Sequence, residues 1–296
     1  MKVGIIGRKP FQGESRDVES TLDLLISALV SDSHRVTLDE VTYLNFKTSK
    51  IVAETQMVRD YKLLGRSDVI IVIGGDGTML DTARKYNGTP LIGVNQGRLG
   101  FITDIPKDKA VETILDMLRH GLYTTEQRAL IETVIGEERV GNALNDVVAS
   151  RAEGRVIEFN VFIDDIFAFK SRGDGLMIST PTGSTAYAMA AGGPIISPAA
   201  KVFEIIPMMP QTMSHRPIVI NDTSRIEMEL IRGEANVAID GNIVNKDPVS
   251  YSMQTGDILL AQRAPEVVKF WHPRSYDHYQ TLRSKLGWQN VPGEKS

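Results

Sequence analysis

The sequence predicts an α/β N-terminal domain of doubly wound type, an all-β, sandwich-like C-terminal domain, and a C-terminal tail returning to the first domain. Three observations carry this expectation. Up to about residue 120, short β-branched runs alternate with helical periodicity, as in parallel strands joined by crossover helices. After Tyr123 the helical period gives way to short strand-like runs separated by turn residues, and from Thr281 to Trp288 helical character returns. The expected domains are 1–122, carrying a Gly-Gly-Asp-Gly turn, 123–265, and the tail 266–296. A chain of 296 residues with 42% hydrophobic content is long enough to bury two cores.

Taken in order, residues 3–6 form the first strand. Residues 15–30 place Val18, Leu22, Leu25, Ile26 and Leu29 on one helical face, and residues 68–73 and 91–94 supply two further buried strands. In the second half, strands are expected at 130–134, 156–163, 166–169, 218–220, 226–231, 237–239 and 258–261. Asp164-Asp165 reads as the turn of a hairpin.

Composition narrows the function classes. The net charge of -4, with Lys and Arg scattered along the chain, gives no electrostatic footprint for nucleic acid or an anionic membrane, so neither is expected as a partner. The absence of cysteine excludes disulfides, thiolate metal sites and thiol nucleophiles, and suits a reducing compartment. Met1 to Gly7 reads as a strand rather than an export signal, and no segment is apolar for long enough to span a bilayer, so a cytoplasmic location is expected.

The most informative segment is the apolar run Val69-Ile70-Ile71-Val72-Ile73 followed by Gly74-Gly75-Asp76-Gly77-Thr78. In an open α/β sheet ligands bind beyond the carboxyl ends of the strands, which is where this turn lies. Its glycines allow backbone N–H groups to approach a phosphate, and the helix that follows adds its dipole. Asp76 then either takes the proton of an acceptor hydroxyl or, with Thr78 and Asp81, caps the helix. There is no Gly-x4-Gly-Lys-Ser/Thr loop, no Gly-x-Gly-x-x-Gly fingerprint after the first strand, no His-Glu-x-x-His and no Gly-x-Ser-x-Gly.

A second segment runs from Gly173-Asp174-Gly175 into Thr180-Pro181-Thr182-Gly183-Ser184-Thr185-Ala186-Tyr187. The small residues 186–191 can start a helix, Ser184 and Thr185 put hydroxyls at its start, and Tyr187 offers a flat face to a base; capping and core packing are the plainer uses. Asn145-Asp146 is a third constellation: Asn both donates and accepts, Asp accepts from ribose hydroxyls, and the pair also suits an ordinary turn. Gly97-Arg98-Leu99-Gly100-Phe101 is either a second phosphate-facing loop or a turn. His215 and His272, each near a proline, lack partners at metal or triad spacing and receive no catalytic role.

With these segments in place, the whole chain resembles the NAD kinase family, and the tail with His272-Pro273, Tyr276 and Lys285-Leu286-Gly287-Trp288 resembles its proteobacterial branch. Gly74-Gly75-Asp76-Gly77-Thr78 alone is shared with lipid kinases, whereas the Thr180 to Tyr187 run is particular to NAD kinases. The resemblance implies transfer of the ATP γ-phosphate to the 2′-hydroxyl of the adenosine ribose of NAD, with a divalent metal, most simply Mg2+ carried with ATP. It makes Asp76 the catalytic carboxylate and Gly74, Gly75, Gly77 and Thr78 its nucleotide-binding turn. It assigns Asn145 and Asp146 to ribose and base, and Asp174, Ser184, Thr185, Ala186, Tyr187, Ala188 and Ala190 to the dinucleotide pocket. Asn242 and Arg155 fall on further contact positions, and Arg172 on a position that bears on distinguishing NAD from NADH. Asp146 stands where the family usually has Glu. The resemblance also implies a homodimer or homotetramer. Two rivals stay open at this point: a lipid or sphingoid kinase sharing the glycine turn, and a non-catalytic NAD-binding regulator.

Overall fold

The computed structural model describes residues 1–9, 15–97, 100–212, 216–243, 245–246 and 249–288, with backbone alone at 15, 16 and 242–250. The chain divides into two compact units, Met1–Gln127 together with Val268–Ser296, and Arg128–Val267. The tail therefore belongs to the first unit. The divisions fall inside two long strands, Tyr123–Ile135 and Ile258–Pro273, because the chain passes from one unit to the other without a turn that would mark the place.

The first unit is a parallel sheet flanked by helices. In chain order its elements are β1 (Lys2–Gly7), α1 (Ser15–Ser31), β2 (Arg35–Asp39), α2 (Glu40–Phe46), α3 (Lys50–Glu54), β3 (Gln56–Val58), α4 (Tyr61–Leu64), β4 (Val69–Gly74), α5 (Asp76–Lys85), β5 (Leu91–Asn95), β6 (Ile105–Pro106) and α6 (Ala110–His120). The strand order is β3-β2-β1-β4-β5, every pairing parallel. The order reverses between β1 and β4, which makes the carboxyl ends of those two strands the switch point where a doubly wound sheet opens a crevice. β4 is buried along its whole length, as its unbroken apolar sequence requires of a central parallel strand. The α1 face made by Val18, Leu22, Leu25, Ile26 and Leu29 is buried against it. In the tail, α8 (His278–Leu286) is capped by Asp277, whose carboxylate accepts from Tyr279 N, and ends at Gly287 in the left-handed conformation.

The second unit is an antiparallel sandwich. After β7 (Tyr123–Ile135) come β8 (Glu138–Ala143), β9 (Asp146–Arg151), β10 (Ile157–Ile163), β11 (Ile166–Gly173), β12 (Gly175–Ser179), the one-turn helix α7 (Tyr187–Ala190), β13 (Val202–Met208), β14 (Ile218–Asn221), β15 (Ile226–Arg232) and β16 (Ala235–Ile239). One sheet runs β14-β13-β12-β9-β16, and β11, β10 and β15 pair in the other, β15 also pairing with the strand that begins at Ile258. Asp164 and Asp165 both have positive φ, 52° and 64°, the two-residue hairpin turn expected from the sequence. Alternate residues of both sheets, among them Val147, Ala149, Leu176, Ile178, Phe203, Ile205, Phe159 and Val161, fill one apolar core. The other face of the first of these sheets carries Asp146, Val148, Met177, Ser179, Glu204 and Ile206, and on it Ala188 packs against Val148, Met177 and Ile206.

Candidate active site

In the first unit, β4 delivers its terminal glycine to the switch point and α5 starts at once. The N-cap is Gly75, which has no capping side chain, so Asp76 and Thr78 are not the cap that the sequence allows as the plainer reading. Gly74 is needed because a Cβ there would lie 2.6 Å from Thr78 Oγ1. A cavity of about 460 Å3 opens here, lined by Gly75, Gly77 and Thr78 of the turn, by Gly7, Arg8 and Lys9 beyond β1, and by Asp39, Asp81, Lys85 and Tyr86. Burial pushes the Tyr86 phenol up to about 12, with Asp39 adding to the effect, and burial also raises Asp39.

Asp76 lies at the first position of α5 with about a third of its side chain exposed. Its carboxylate accepts from Phe101 N at 2.8 Å, Ile102 N at 3.3 Å and the Thr103 hydroxyl at 2.9 Å, and Lys285 Nζ stands 3.5 Å away. Gly100 is required by this arrangement, since a Cβ there would fall 2.0 Å from Asp76 Oδ1. The Gly97 to Phe101 segment is thus the carboxylate's seat at its Phe101 end; Arg98 and Leu99 lie outside the described residues. Further along, buried His272 sits 3.2 Å from both Asp104 and Glu126 and stacks on Tyr276 at 4.1 Å. Burial opposes its charge, and the two carboxylates outweigh that and raise its pKa.

In the second unit, a cavity of about 410 Å3 is lined by Asn145, Asp146, Val148, Ser150, Ala186, Tyr187, Met208, Ala238, Asp240 and Gly241. It brings together Asn145, Asp146, Ala186 and Tyr187. Asp240, with φ of 50°, accepts from the backbone N–H groups of Leu144 (3.0 Å), Asn145 (2.7 Å) and Asp146 (3.2 Å), and so fixes the entry to β9. Burial pushes the Asp146 carboxyl up to about 7, with the neighbouring Asp240 charge adding. Tyr187 is about half exposed, so it is not a core residue.

The Thr180 to Thr185 turn is held from within. Thr180 Oγ1 accepts from Thr182 N and Gly183 N and donates to Leu144 O, and buried Arg128 donates to Thr182 Oγ1 at 3.1 Å. The Ser184 hydroxyl is fully buried, donates to Pro181 O and accepts from Ile196 N. Ser184 and Ala188, the latter packed on Val148, Met177 and Ile206, do not line the cavity, and the helix that the small residues start is the single turn Tyr187–Ala190 after the 3₁₀ segment Gly183–Thr185. The Thr185 hydroxyl is 3.4 Å from Thr182 O, and Ala190 closes α7 outside the cavity lining. Asp174 is ion-paired with Arg151 Nε at 2.8 Å. Arg155 is exposed in the turn before β10, and Arg172 is exposed on β11 opposite Glu158. Asn242 opens a two-residue strand paired with Ile239; its side chain lies outside the described residues.

Sequence reasoning missed Lys285, Thr103 and Asp240, whose roles depend on contacts far apart in sequence. It also missed Arg8, Lys9 and Lys85. The position of Arg8-Lys9 directly after the first strand of a doubly wound sheet was a signal for them.

A cavity with three cations at the switch point of a doubly wound sheet, a carboxylate at its glycine turn, and a pocket with Asn145 and Asp146 on a β-sandwich suit a nucleotide-binding phosphotransferase. Residues 30–123 match the ATP-NAD kinase N-terminal domain and residues 144–269 the ATP-NAD kinase C-terminal domain. An NAD kinase of Saccharophagus degradans is 39% identical over 98% of this chain and 97% of its own length. The fold is similar to yeast NADH kinase complexed with NADH (TM-score 0.85, 18% identity, all of this chain and 89% of that one). It is also similar to an NAD kinase from Archaeoglobus fulgidus in complex with ATP (TM-score 0.73, 21% identity, 97% and 99%). The chain belongs to the NAD kinase family. A lipid or sphingoid kinase is not needed to account for the glycine turn. Among the described residues no helix is long and apolar enough to cross a membrane.

Proposed function

We propose that the chain phosphorylates the 2′-hydroxyl of the adenosine ribose of NAD with ATP, and that Asp76 accepts the hydroxyl proton. The observation that carries this reading is the glycine turn at the switch point: Gly75, Gly77 and Thr78 line a cavity with Arg8, Lys9 and Lys85, and the partly exposed Asp76 starts α5 in the same turn. The first amides of α5 have no acceptor within the helix, and with the three cations they suit a triphosphate. In the step, the 2′-oxygen bonds to the γ-phosphorus, the bond to the β,γ-bridging oxygen breaks, the proton passes to Asp76 and ADP departs.

The pocket of Asn145, Asp146, Ala186 and Tyr187 is assigned to the dinucleotide, with Tyr187 stacking on a ring and the Asn145-Asp146 pair bonding ribose or base. Asp174, Thr185, Ala190, Asn242, Arg155 and Arg172 are assigned to its margin, where the sequence resemblance places them. The yeast relative's NADH and the archaeal relative's ATP support this pair of ligands.

Among the described residues no group of three or more His, Cys, Asp or Glu stands ready to cage a metal. Asp39 and Asp81 line the cavity, and a magnesium ion held mainly by phosphate and water needs only one or two such carboxylates. When bound, such an ion neutralises charge on the phosphates. A homodimer or homotetramer and a cytoplasmic location complete the proposal, on the resemblance to the family and on a cysteine-free chain.

The test is incubation with ATP, magnesium and NAD, reading NADP by a coupled dehydrogenase. Asp76→Asn is expected to keep dinucleotide binding and to lower turnover by at least about a hundredfold, the loss of a general base. Turnover near that of the parent removes Asp76 from the mechanism.

A further inference from the structure

An ionised carboxylate offers two oxygens and about four lone-pair positions. In Asp76 all of them are engaged: Oδ2 by Phe101 N and Lys285 Nζ, Oδ1 by Ile102 N and the Thr103 hydroxyl. An acceptor hydroxyl that gives its proton to this carboxylate must first take one of those positions. Two of the four partners are backbone amides of adjacent residues. The third, Thr103, is fully buried and also accepts from Asn95 Nδ2 at 3.0 Å. None of these leaves without moving the loop.

Lys285 differs from the other three. Thr281 and Leu282, four and three residues earlier on α8, are buried, so the helix turns Lys285 inward. Its ammonium ends a flexible four-carbon stem, with a quarter of the side chain exposed, at the longest of the four distances. It also rests over the Phe101 ring, 4.2 Å from the centroid, a second favourable seat.

Building on the role given above to Asp76, we propose that Lys285 holds the position on Oδ2 that the acceptor hydroxyl needs, and is the partner the acceptor displaces. The C-terminal helix thereby sets the affinity for the acceptor: binding costs the ion pair, while the ammonium keeps its place over the Phe101 ring. Removing the lysine makes the position free in advance, and replacing it with arginine, which grips a carboxylate with two N–H groups, holds it harder.

The experiment compares the full chain with Lys285→Met, Lys285→Arg and Asp76→Asn, measuring NAD affinity by calorimetry, KM and kcat at saturating ATP and magnesium, and Tm. Lys285→Met is expected to bind NAD about fivefold more tightly, with a matching fall in KM, and Lys285→Arg to bind more weakly. In the Asp76→Asn background, Lys285→Met should leave affinity unchanged, because no carboxylate remains to be contested. An affinity in Lys285→Met that is weaker than or equal to the parent's overturns the proposal, since the lysine is then a structural contact or no competitor at all. If Asp76→Asn turns over like the parent, the mechanism itself falls and this inference with it. If only the Lys285 variants behave otherwise, the mechanism stands alone.

Discussion

Glu204 is the most informative residue to perturb outside the reaction. It lies in β13 with none of its surface exposed, opposite Ser179 in β12 and Val219 in β14. Both carboxyl oxygens are buried without a hydrogen-bond partner among the described residues. Gly193 presses on the carboxyl so closely that a Cβ there would come within 2.3 Å of Oε1. Burial pushes this carboxyl from its ordinary 4.5 up to about 7. Each unit of difference between folded and unfolded chain is worth about 1.4 kcal/mol, so the carboxyl costs the fold about 3 kcal/mol once both states are ionised. The sign follows from proton binding: below about pH 4.5 both states hold the proton and the fold loses nothing. As pH rises from there through about 7, the unfolded chain ionises first and stability is lost. Glu204→Gln removes the titration and keeps the shape of the protonated side chain. Urea unfolding of parent and variant at pH 5 and pH 8 should give a stability difference in favour of the variant that widens by about 2–3 kcal/mol at the higher pH. A difference that is the same at both values refutes the reasoning, and shows that the carboxyl finds water or a partner when the chain is in solution.

Tyr187→Ala is expected to weaken NAD binding by about 1–3 kcal/mol, read by calorimetry, because an exposed ring at the pocket edge loses its stacking partner; unchanged affinity excludes stacking. Asp146, raised to about 7 by burial and by Asp240, ionises as pH passes that value, so NAD affinity of the parent should change between pH 6 and pH 8. In Asp146→Asn that change should flatten, and a parent profile already flat removes the carboxyl from the binding equilibrium.

Much of the fold was legible because its physics is local. The unbroken apolar run of β4 reports a strand buried on both faces, the spacing of Val18, Leu22, Leu25, Ile26 and Leu29 reports one helix face, and Asp164-Asp165 reports a turn that accepts positive φ. The glycine turn and the Thr180 to Tyr187 run were legible for the same reason, since each is one continuous stretch of chain. The division of labour inside that run was not. Ser184 and Tyr187 read alike as pocket residues, yet the first is buried with its hydroxyl bonded to Pro181 and Ile196, and the second is half exposed.

The sequence by itself determined the family, the two-part architecture and the segments that carry the chemistry, because strand and helix periods and turn residues are written in consecutive positions. Only the tertiary structure decided what those segments touch. It set Asp76 against Phe101, Ile102 and Thr103 and beneath a lysine 209 positions later, and it hung the Leu144 to Asp146 backbone on Asp240. Hydrogen bonds between distant residues depend on where strands and helices end in space, and that is fixed by packing of the whole chain rather than by any stretch of it.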